Sequence, residues 1–219
     1  MILEIAVRSL IVTLSALAIS AVIGIPLGAW MALVHFPSTL FHTVRRLALA
    51  LVYTGMGLPP VVVGLVVYLL LSRSGPLGGL AWLFTIPAMI LAQTIISIPL
   101  IVGITMSSIL AVDPTLRMQL RALGATPFQA TRDLLIEART GVFVGLAAGF
   151  GAIISEVGAV MLVGGKIDGQ TRVLTTAIVL ETRQGHFEFA LALGAILLTL
   201  SFAANLIMVI GQGRLRDVR

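Results

Sequence analysis

One long polar stretch with helical character interrupts an otherwise apolar chain: LRMQLRALGATPFQATRDLLIEA, residues 116–138. An Asp-Pro pair at 113–114 and a Thr-Pro pair at 126–127 each place a helix-capping side chain before a proline, which favours the first turn of a helix. Gly124 lies between these signals and tolerates the left-handed backbone that ends a helix. The stretch therefore predicts two short helices joined by a tight turn. We call residues 113–139 the elbow, and we expect a docking element there rather than a solvated loop.

Around the elbow the chain has the composition of a membrane protein. Its 219 residues are 58% hydrophobic and 11% charged, whereas a soluble domain carries about 25% charged residues. Roughly 20 apolar residues cross the hydrocarbon layer as a helix, and no segment alternates as a membrane barrel strand would. We predict an all-α membrane protein with about five spans: 9–34, 47–71, 80–107, 141–163 and 187–210. The first apolar run is too long for a secretory signal peptide.

The net charge of +5 has two explanations, nucleic-acid binding or basic loops that orient membrane helices. The second fits this composition, so we expect no nucleic acid as a partner. Nine basic residues fall on the face of the elbow: Arg45, Arg46, Arg117, Arg121, Arg132, Arg139, Arg214, Arg216 and Arg219. Five fall on the other face: Arg8, Arg73, Lys166, Arg172 and Arg183. The excess marks the cytoplasmic side, which places the N-terminus outside and the elbow and C-terminus in the cytoplasm.

Enzyme and metal motifs are missing from the sequence. There is no G-x-x-x-x-G-K-[ST] phosphate loop, no cysteine, and no metal-ligand spacing among the three histidines. We therefore expect no catalytic residue, no metal site and no cofactor in this chain.

Prolines and glycines break the second predicted span. Pro59 and Pro60 remove two backbone donors from it, and Gly57 and Gly64 flank them. Such a break is tolerated at membrane depth where it faces protein or a water-filled cavity. These four residues are candidates for a hinge or gate, with a static kink as the alternative.

Polar residues inside the spans are candidates for a pathway. Pro87 and Pro99 are expected to interrupt the third span in the same way as the proline pair interrupts the second. Polar side chains in the third and fourth spans could face a pathway or bond neighbouring helices: Gln93, Thr94, Ser97 and Ser155.

Glu156 is an acid in the interior of a predicted span, where an ionisable group is costly and suggests a function. Helical spacing places it on one face with Gly145 and Gly149. We expect a paired or protonated carboxyl that stabilises a helix junction, with direct contact to cargo as the alternative.

The predicted outer loop, 164–186, contains charged and apolar residues. Lys166 and Arg172 are candidates for docking a protein or guiding an anion, and solvated loop charges are the alternative. The apolar run at 171–180 is expected to be partly buried by protein.

Three sets of motifs resemble a known family. The sequence RALGATP at 121–127 is similar to the glycine-centred core of the cytoplasmic motif of ABC-importer permeases. The segments 57–64, 73–78, 154–159 and 164–172 resemble molybdate and tungstate permeases, and 174–182 is closest to the tungstate branch.

The resemblance implies a type I ABC-importer (MetI-like) permease fold, with 1–219 as one transmembrane domain. It implies that the elbow couples to an ATPase through these residues: Arg117, Arg121, Ala122, Leu123, Gly124, Ala125, Thr126 and Pro127. The implied partners are a second copy of the chain, ABC ATP-binding subunits that hold ATP and Mg, and an extracytoplasmic oxyanion-binding protein. The implied location is a prokaryotic plasma (inner) membrane.

The implied cargo is tungstate, or molybdate. A permease for sulfate, phosphate or another oxyanion is the first alternative, and an ATP-independent secondary transporter is the second. No inverted repeat supports the secondary transporter.

Overall fold

A computed structural model describes residues 2–33 and 39–216. Within these ranges the regular structure is helical. The α-helices are α1 Ile2–Leu33, α2 Thr39–Met56, α3 Pro60–Leu71, α4 Ile86–Leu110, α5 Pro114–Ala122, α6 Pro127–Glu137, α7 Arg139–Ile154, α8 Gly158–Gly164, α9 Leu174–Arg183 and α10 Phe187–Arg216. One short 3-10 turn, Gly78–Leu80, precedes α4.

Helices α1 and α4 pack closely along their length and form the centre of the fold. A methyl group in place of the Gly28 hydrogen would lie 2.7 Å from the carbonyl oxygen of Val102. At Gly24 it would lie 2.9 Å from the Ile101 side chain. Small residues therefore bring the two helices together, as is usual where lipid removes the hydrophobic drive for association.

Three helices in the described part are long and apolar enough to cross a membrane: Ile2–Leu33, Ile86–Leu110 and Phe187–Ile210. Two bent pairs, Thr43–Met56 with Pro60–Leu71 and Pro127–Glu137 with Arg139–Ile154, raise the number to as many as five. Predicted spans one and five correspond to α1 and α10. Position 34, the predicted end of the first span, lies outside the described residues.

The second predicted span is broken rather than continuous. Helix α2 ends at Met56, α3 begins at Pro60, and the two axes meet at 103°. The Gly57 N–H still donates to the Thr54 carbonyl oxygen at 3.1 Å before the chain turns. Since Pro60 occupies the first turn of α3, where its missing N–H has no partner to lose, the proline pair starts a new helix there.

The third predicted span begins six residues too early. Its helix starts at Ile86, because Pro87 stands in the first turn, where proline is tolerated. Pro87 therefore starts α4 and does not interrupt it, which corrects the prediction. Pro99 does lie inside the helix, but α4 runs without a break from Ile86 to Leu110, so the predicted interruption at Pro99 is also wrong.

The fourth predicted span, 141–163, is wrong as a single helix. Helix α7 begins at Arg139 and ends at Ile154, and α8 begins again at Gly158. Helices α6 and α7 together meet the length and composition of a span, with a bend of 69° between their axes, and α7 is its apolar part.

The two ends of α1 hold different parts of the chain. Near its start, the guanidinium of Arg8 donates to the carbonyl oxygens of Arg172 at 2.9 Å and Gly169 at 2.8 Å. At its end, Arg117 donates to the carbonyl oxygen of Leu33 at 2.7 Å. The 32 residues of α1 span about 48 Å. The elbow and the loop before α9 therefore lie at opposite ends of the molecule.

The apolar run at 171–180 is partly buried, as predicted. Leu174 and Ala177 of α9 pack with Ile5 of α1 and Leu193 of α10. The Ser9 hydroxyl accepts from the Leu174 N–H at 2.8 Å, which fixes the start of α9 against α1.

Candidate functional site: the elbow and the half-helix junction

The first helix of the elbow is stabilised by a side-chain cap at its N-terminus. The Thr115 N–H donates to Asp113 Oδ1 at 2.8 Å, and Pro114 occupies the first turn of α5. That backbone hydrogen bond holds the pKa of the Asp113 carboxyl below its ordinary value, because it favours the ionised form.

A glycine turn ends this helix. Gly124 has φ +82, in the left-handed region that glycine adopts without strain. The Gly124 N–H donates to the Arg121 carbonyl at 3.0 Å, and the Ala125 N–H donates to the Leu120 carbonyl at 3.0 Å. The predicted turn is confirmed, and α5 ends at Ala122.

The second helix of the elbow starts with a reciprocal capping box. The Gln129 N–H donates to Thr126 Oγ1 at 3.3 Å, and the Thr126 N–H donates to Gln129 Oε1 at 2.8 Å. Helix α6 ends at Glu137. Both helices of the elbow therefore have their own caps, while the buried Ala130 and Leu134 and the bond from Arg117 to Leu33 hold the elbow to the rest of the chain.

The apex of the elbow, which we define as Met118, Leu123 and Phe128, is apolar and exposed. Leu123 is 85% exposed and Phe128 is 78% exposed. Large apolar side chains grouped on an otherwise polar protrusion mark an interaction surface. The sequence-based prediction included Leu123 but missed Met118 and Phe128. Each of these two is an apolar residue at an outward position of a short polar helix, which could have indicated that it belongs to the apex.

The predicted coupling residues differ in their exposure. Six are exposed: Arg121, Ala122, Leu123, Gly124, Thr126 and Pro127. Ala125 is half-buried. Arg117 is also half-buried and bonds the end of α1. Desolvation, and to a lesser extent the charge of Arg121, lowers the pKa of the Arg117 guanidinium.

The half-helix junction, which we define as 57–64 and 155–159, brings together the breaks of two spans. A methyl group at Gly64 would lie 2.5 Å from Ala159 Cα, and one at Gly158 would lie 2.5 Å from Val61 Cγ2. Helices α3 and α8 therefore touch almost backbone to backbone. All four hinge or gate candidates lie in this junction, with Pro59 and Pro60 at the start of α3.

Glu156 caps the start of α8 within this junction. Its side chain is buried, with 8% exposure, and Oε1 accepts the Ala159 N–H at 2.8 Å. The Glu156 carbonyl oxygen accepts the hydroxyl of Thr175, from α9, at 3.0 Å. The residue thus joins α7, α8 and α9.

The four pathway candidates differ in exposure. Gln93, Thr94 and Ser97 are buried, and Ser155 is exposed. The Gln93 side-chain amide donates to the Ile153 carbonyl of α7 at 2.8 Å, and the Ser97 hydroxyl lies 2.6 Å from that of Ser20 in α1. Gln93 and Ser97 thus bond neighbouring helices of their own chain.

The two outer-loop candidates also differ. Lys166 is exposed. Arg172 Nη1 lies 3.3 Å from Asp168 Oδ1, so its charge is paired within the loop. In the described ranges, no group of three His, Asp or Glu side chains lies close enough to hold a metal ion.

Comparison with known proteins identifies the family. The family model described as "Binding-protein-dependent transport system inner membrane component" matches residues 24–217. The probable anion ABC transporter permease protein of Haloferax volcanii is 43% identical over 202 residues, covering 90% of this chain and 84% of that protein. The tungstate uptake system permease protein TupB of Peptoclostridium acidaminophilum is 39% identical over 200 residues, covering 91% and 85%.

A solved structure has the same fold. A chain from inward-facing conformations of the MetNI methionine ABC transporter superposes with a TM-score of 0.69 at 19% identity, covering 98% of this chain and 96% of that chain. The MetI-like permease fold predicted from the sequence is therefore confirmed. With a family model matching most of its length, the chain belongs to the inner membrane components of binding-protein-dependent transport systems.

Proposed function

We propose that this chain is the transmembrane permease subunit of an ATP-driven importer for tungstate, with molybdate as the second cargo. The assignment of tungstate as the cargo rests on the 39% identity to a tungstate uptake permease over 91% of the chain. A further tungstate uptake permease, from Campylobacter jejuni, is 35% identical over 75% of the chain. Molybdenum transport permeases match at lower identity, 25% for that of Haemophilus influenzae.

The elbow is the docking element for an ATPase subunit. Two capped helices form a rigid protrusion, and its apex presents Leu123 and Phe128 to a partner. ATP and Mg are bound by that partner, because the chain carries no phosphate-loop motif. Leu123 provides an apolar contact for the ATPase subunit, and Gly124 provides the turn that gives the elbow its shape.

Motion at the elbow reaches the half-helix junction through one continuous path. Helix α6 leads directly into α7, and α7 ends at Ile154, beside Ser155 and Glu156. A rigid displacement of the elbow therefore shifts the start of α8 and its contact with Gly64 in α3. This contact is the proposed gate, and the exposed Ser155 is the proposed pathway residue beside it.

Two copies of the chain enclose the pathway. One copy offers few membrane helices for a pore, and a two-fold pair is the commonest assembly of identical subunits. An extracytoplasmic oxyanion-binding protein docks at the opposite end from the elbow, where Lys166 is exposed. The elbow faces the cytoplasm.

Reconstitution tests the activity. Vesicles containing the permease, its ATPase subunits and the oxyanion-binding protein are expected to accumulate tungstate only when ATP is present on the elbow side. Molybdate and sulfate serve as competing cargoes. Uptake by the permease alone, or accumulation of sulfate in preference to tungstate, would contradict the proposal.

A variant of the apex tests the docking assignment. Leu123→Asp is expected to abolish co-purification of the ATPase subunit while the permease stays folded, because Leu123 is exposed and the new charge cannot enter an apolar contact. Gln170→Asp adds the same charge to an exposed site at the opposite end of the molecule. Equal ATPase binding by the two variants would remove the apex from the interface.

A further inference from the structure

A cavity of about 570 Å³ lies between the end of α1 and the elbow. Its α1 wall includes Pro26, Trp30 and Leu33, and its elbow wall includes Phe128 and Leu134. These walls are apolar, although the cavity borders the most polar segment of the chain. An occupant must therefore have an apolar part.

The charge in this cavity has one sign. Among the residues that the structure describes, Arg117 and Arg121 line it and no acidic side chain does. The residues are four apart in α5 and thus face the same side of the helix. Arg117 is held in place by the Leu33 carbonyl at 2.7 Å. Two positive charges on the same wall favour an occupant that carries negative charge.

The cavity lies at the level of the membrane surface. Trp30 is 53% exposed and stands in the last turn of α1, which is long and apolar enough to cross a membrane. Tryptophan in that position is typical of the boundary between hydrocarbon and headgroups. Side chains at this depth meet lipid phosphates.

A second cleft, of about 320 Å³, adjoins the arginine pair. It shares Arg117 and Arg121 with the first and has apolar walls from Ile109, Leu110 and Val112. Asp113 also lines this second cleft, and its carboxylate accepts the Thr115 N–H. The arginine pair thus stands between two apolar surfaces.

We infer that this site binds one anionic phospholipid, with its phosphate on Arg117 and Arg121 and an acyl chain along Pro26 and Trp30. Basic pockets between membrane helices are suited to such headgroups. The site goes beyond the proposed function, which uses the exposed apex. It ties the elbow to the bilayer beside the end of α1, so the lipid steadies the element that the ATPase is proposed to move.

Native mass spectrometry of the full-length permease in a non-ionic detergent tests the site. The probes are phosphatidylglycerol, phosphatidylcholine and inorganic phosphate, added separately. One phosphatidylglycerol per chain is expected to bind in preference to phosphatidylcholine, and inorganic phosphate is not expected to compete. Arg121→Gln is expected to lower the affinity for phosphatidylglycerol about fivefold, which is the effect of removing one arginine near an anionic lipid.

The control is Arg132→Gln, which removes the same charge from an exposed position of α6 that lines neither cavity. Because Arg121 is exposed, Arg121→Gln is expected to keep the fold. It therefore tests the site even if Arg117→Gln unfolds through loss of the bond to Leu33. Equal binding of the two lipids, competition by inorganic phosphate, or an equal loss in Arg132→Gln would overturn the inference.

Discussion

The elbow and the half-helix junction are both sharp turns between helices, yet they depend to different extents on distant parts of the chain. In the elbow, each helix start is satisfied by a side chain at most three residues away, as Asp113 and Thr126 show. In the junction, Glu156 also caps Ala159 locally, but Gly64 packs on Ala159 from a distant helix and Thr175 donates to the Glu156 carbonyl oxygen. The elbow is therefore stable as a local unit, whereas the junction exists only when distant parts of the chain have assembled.

This difference has a consequence for how the two regions respond to change. A substitution at a cap of the elbow alters one helix end and leaves the core intact, because Asp113 and Thr126 are exposed. The junction continues into the main core, where Val63, Val67, Val160 and Val163 are buried together. Damage there spreads to α3, α4 and α8 at once.

The largest effect is expected for Gly64→Leu. Its Cβ would lie 2.5 Å from the Ala159 backbone, and backbone cannot rotate away as a side chain can. Overpacking of this kind costs about 3 kcal/mol or more in the free energy of unfolding. Thermal unfolding of the detergent-solubilised permease would show a lower midpoint or no cooperative transition.

The matched control is Gly151→Ala in α7, where an added methyl group meets nothing within 4 Å. This helical glycine can gain up to about 1 kcal/mol from the better helix propensity of alanine. A midpoint lowered as far by Gly151→Ala as by Gly64→Leu would break the comparison.

The next effect is expected for Glu156→Ala. The Ala159 N–H would lose its acceptor at 2.8 Å in a buried site, which costs about 1–3 kcal/mol. Glu156→Gln keeps an acceptor oxygen and is expected to unfold near the native midpoint. If the alanine and glutamine variants unfold together, the carboxylate does not hold the junction.

A smaller effect is expected for Thr126→Ala in the elbow. Loss of the Thr126 hydroxyl removes one half of the capping box and costs about 1 kcal/mol. Hydrogen exchange should speed up in the first turn of α6 and stay unchanged in α8. Thr126→Ser keeps the hydroxyl and should exchange like the native chain. Faster exchange in α8 would show that the elbow is not a local unit.

The smallest effect concerns pH. Since the pKa of Asp113 is lowered by its bond to Thr115, the cap is complete above the ordinary carboxyl pKa and is lost as pH falls through the lower folded value. Exchange in α5, corrected for intrinsic rates, should be steady from neutral pH to about pH 5 and rise below about pH 4. Asp113→Asn does not titrate and should show no such rise; a rise in both would assign it to another group.

The predictions from sequence succeeded where structure is local. The elbow helices, the Gly124 turn and the fold class were predictable, because caps, glycine and long apolar runs act over a few residues. The fourth span was wrong because 155–157 contains no proline or glycine to signal a break. Its broken backbone is satisfied by Thr175, a partner that only the tertiary fold supplies.

The orientation of individual side chains was less predictable still. Arg117 and Arg121 look alike in the sequence, yet Arg117 turns toward α1 because the last carbonyls of that helix lack partners within it. Pro87 and Pro99 also look alike in the sequence. Their distance from the start of α4 distinguishes them, because Pro87 lies in the first turn, where its missing N–H has no partner to lose, and Pro99 lies inside the helix.

The hydrogen bond from Thr175 to Glu156 joins two sides of the molecule. Helix α9 follows the loop that Arg8 anchors, and α7 follows the elbow; the first turn of α9 bonds the short linker at which α7 ends. A displacement of α7 that moves this linker must therefore carry the start of α9 with it or break this bond. Under the proposed function, the linker is the point at which motion of the elbow meets the side where the binding protein docks.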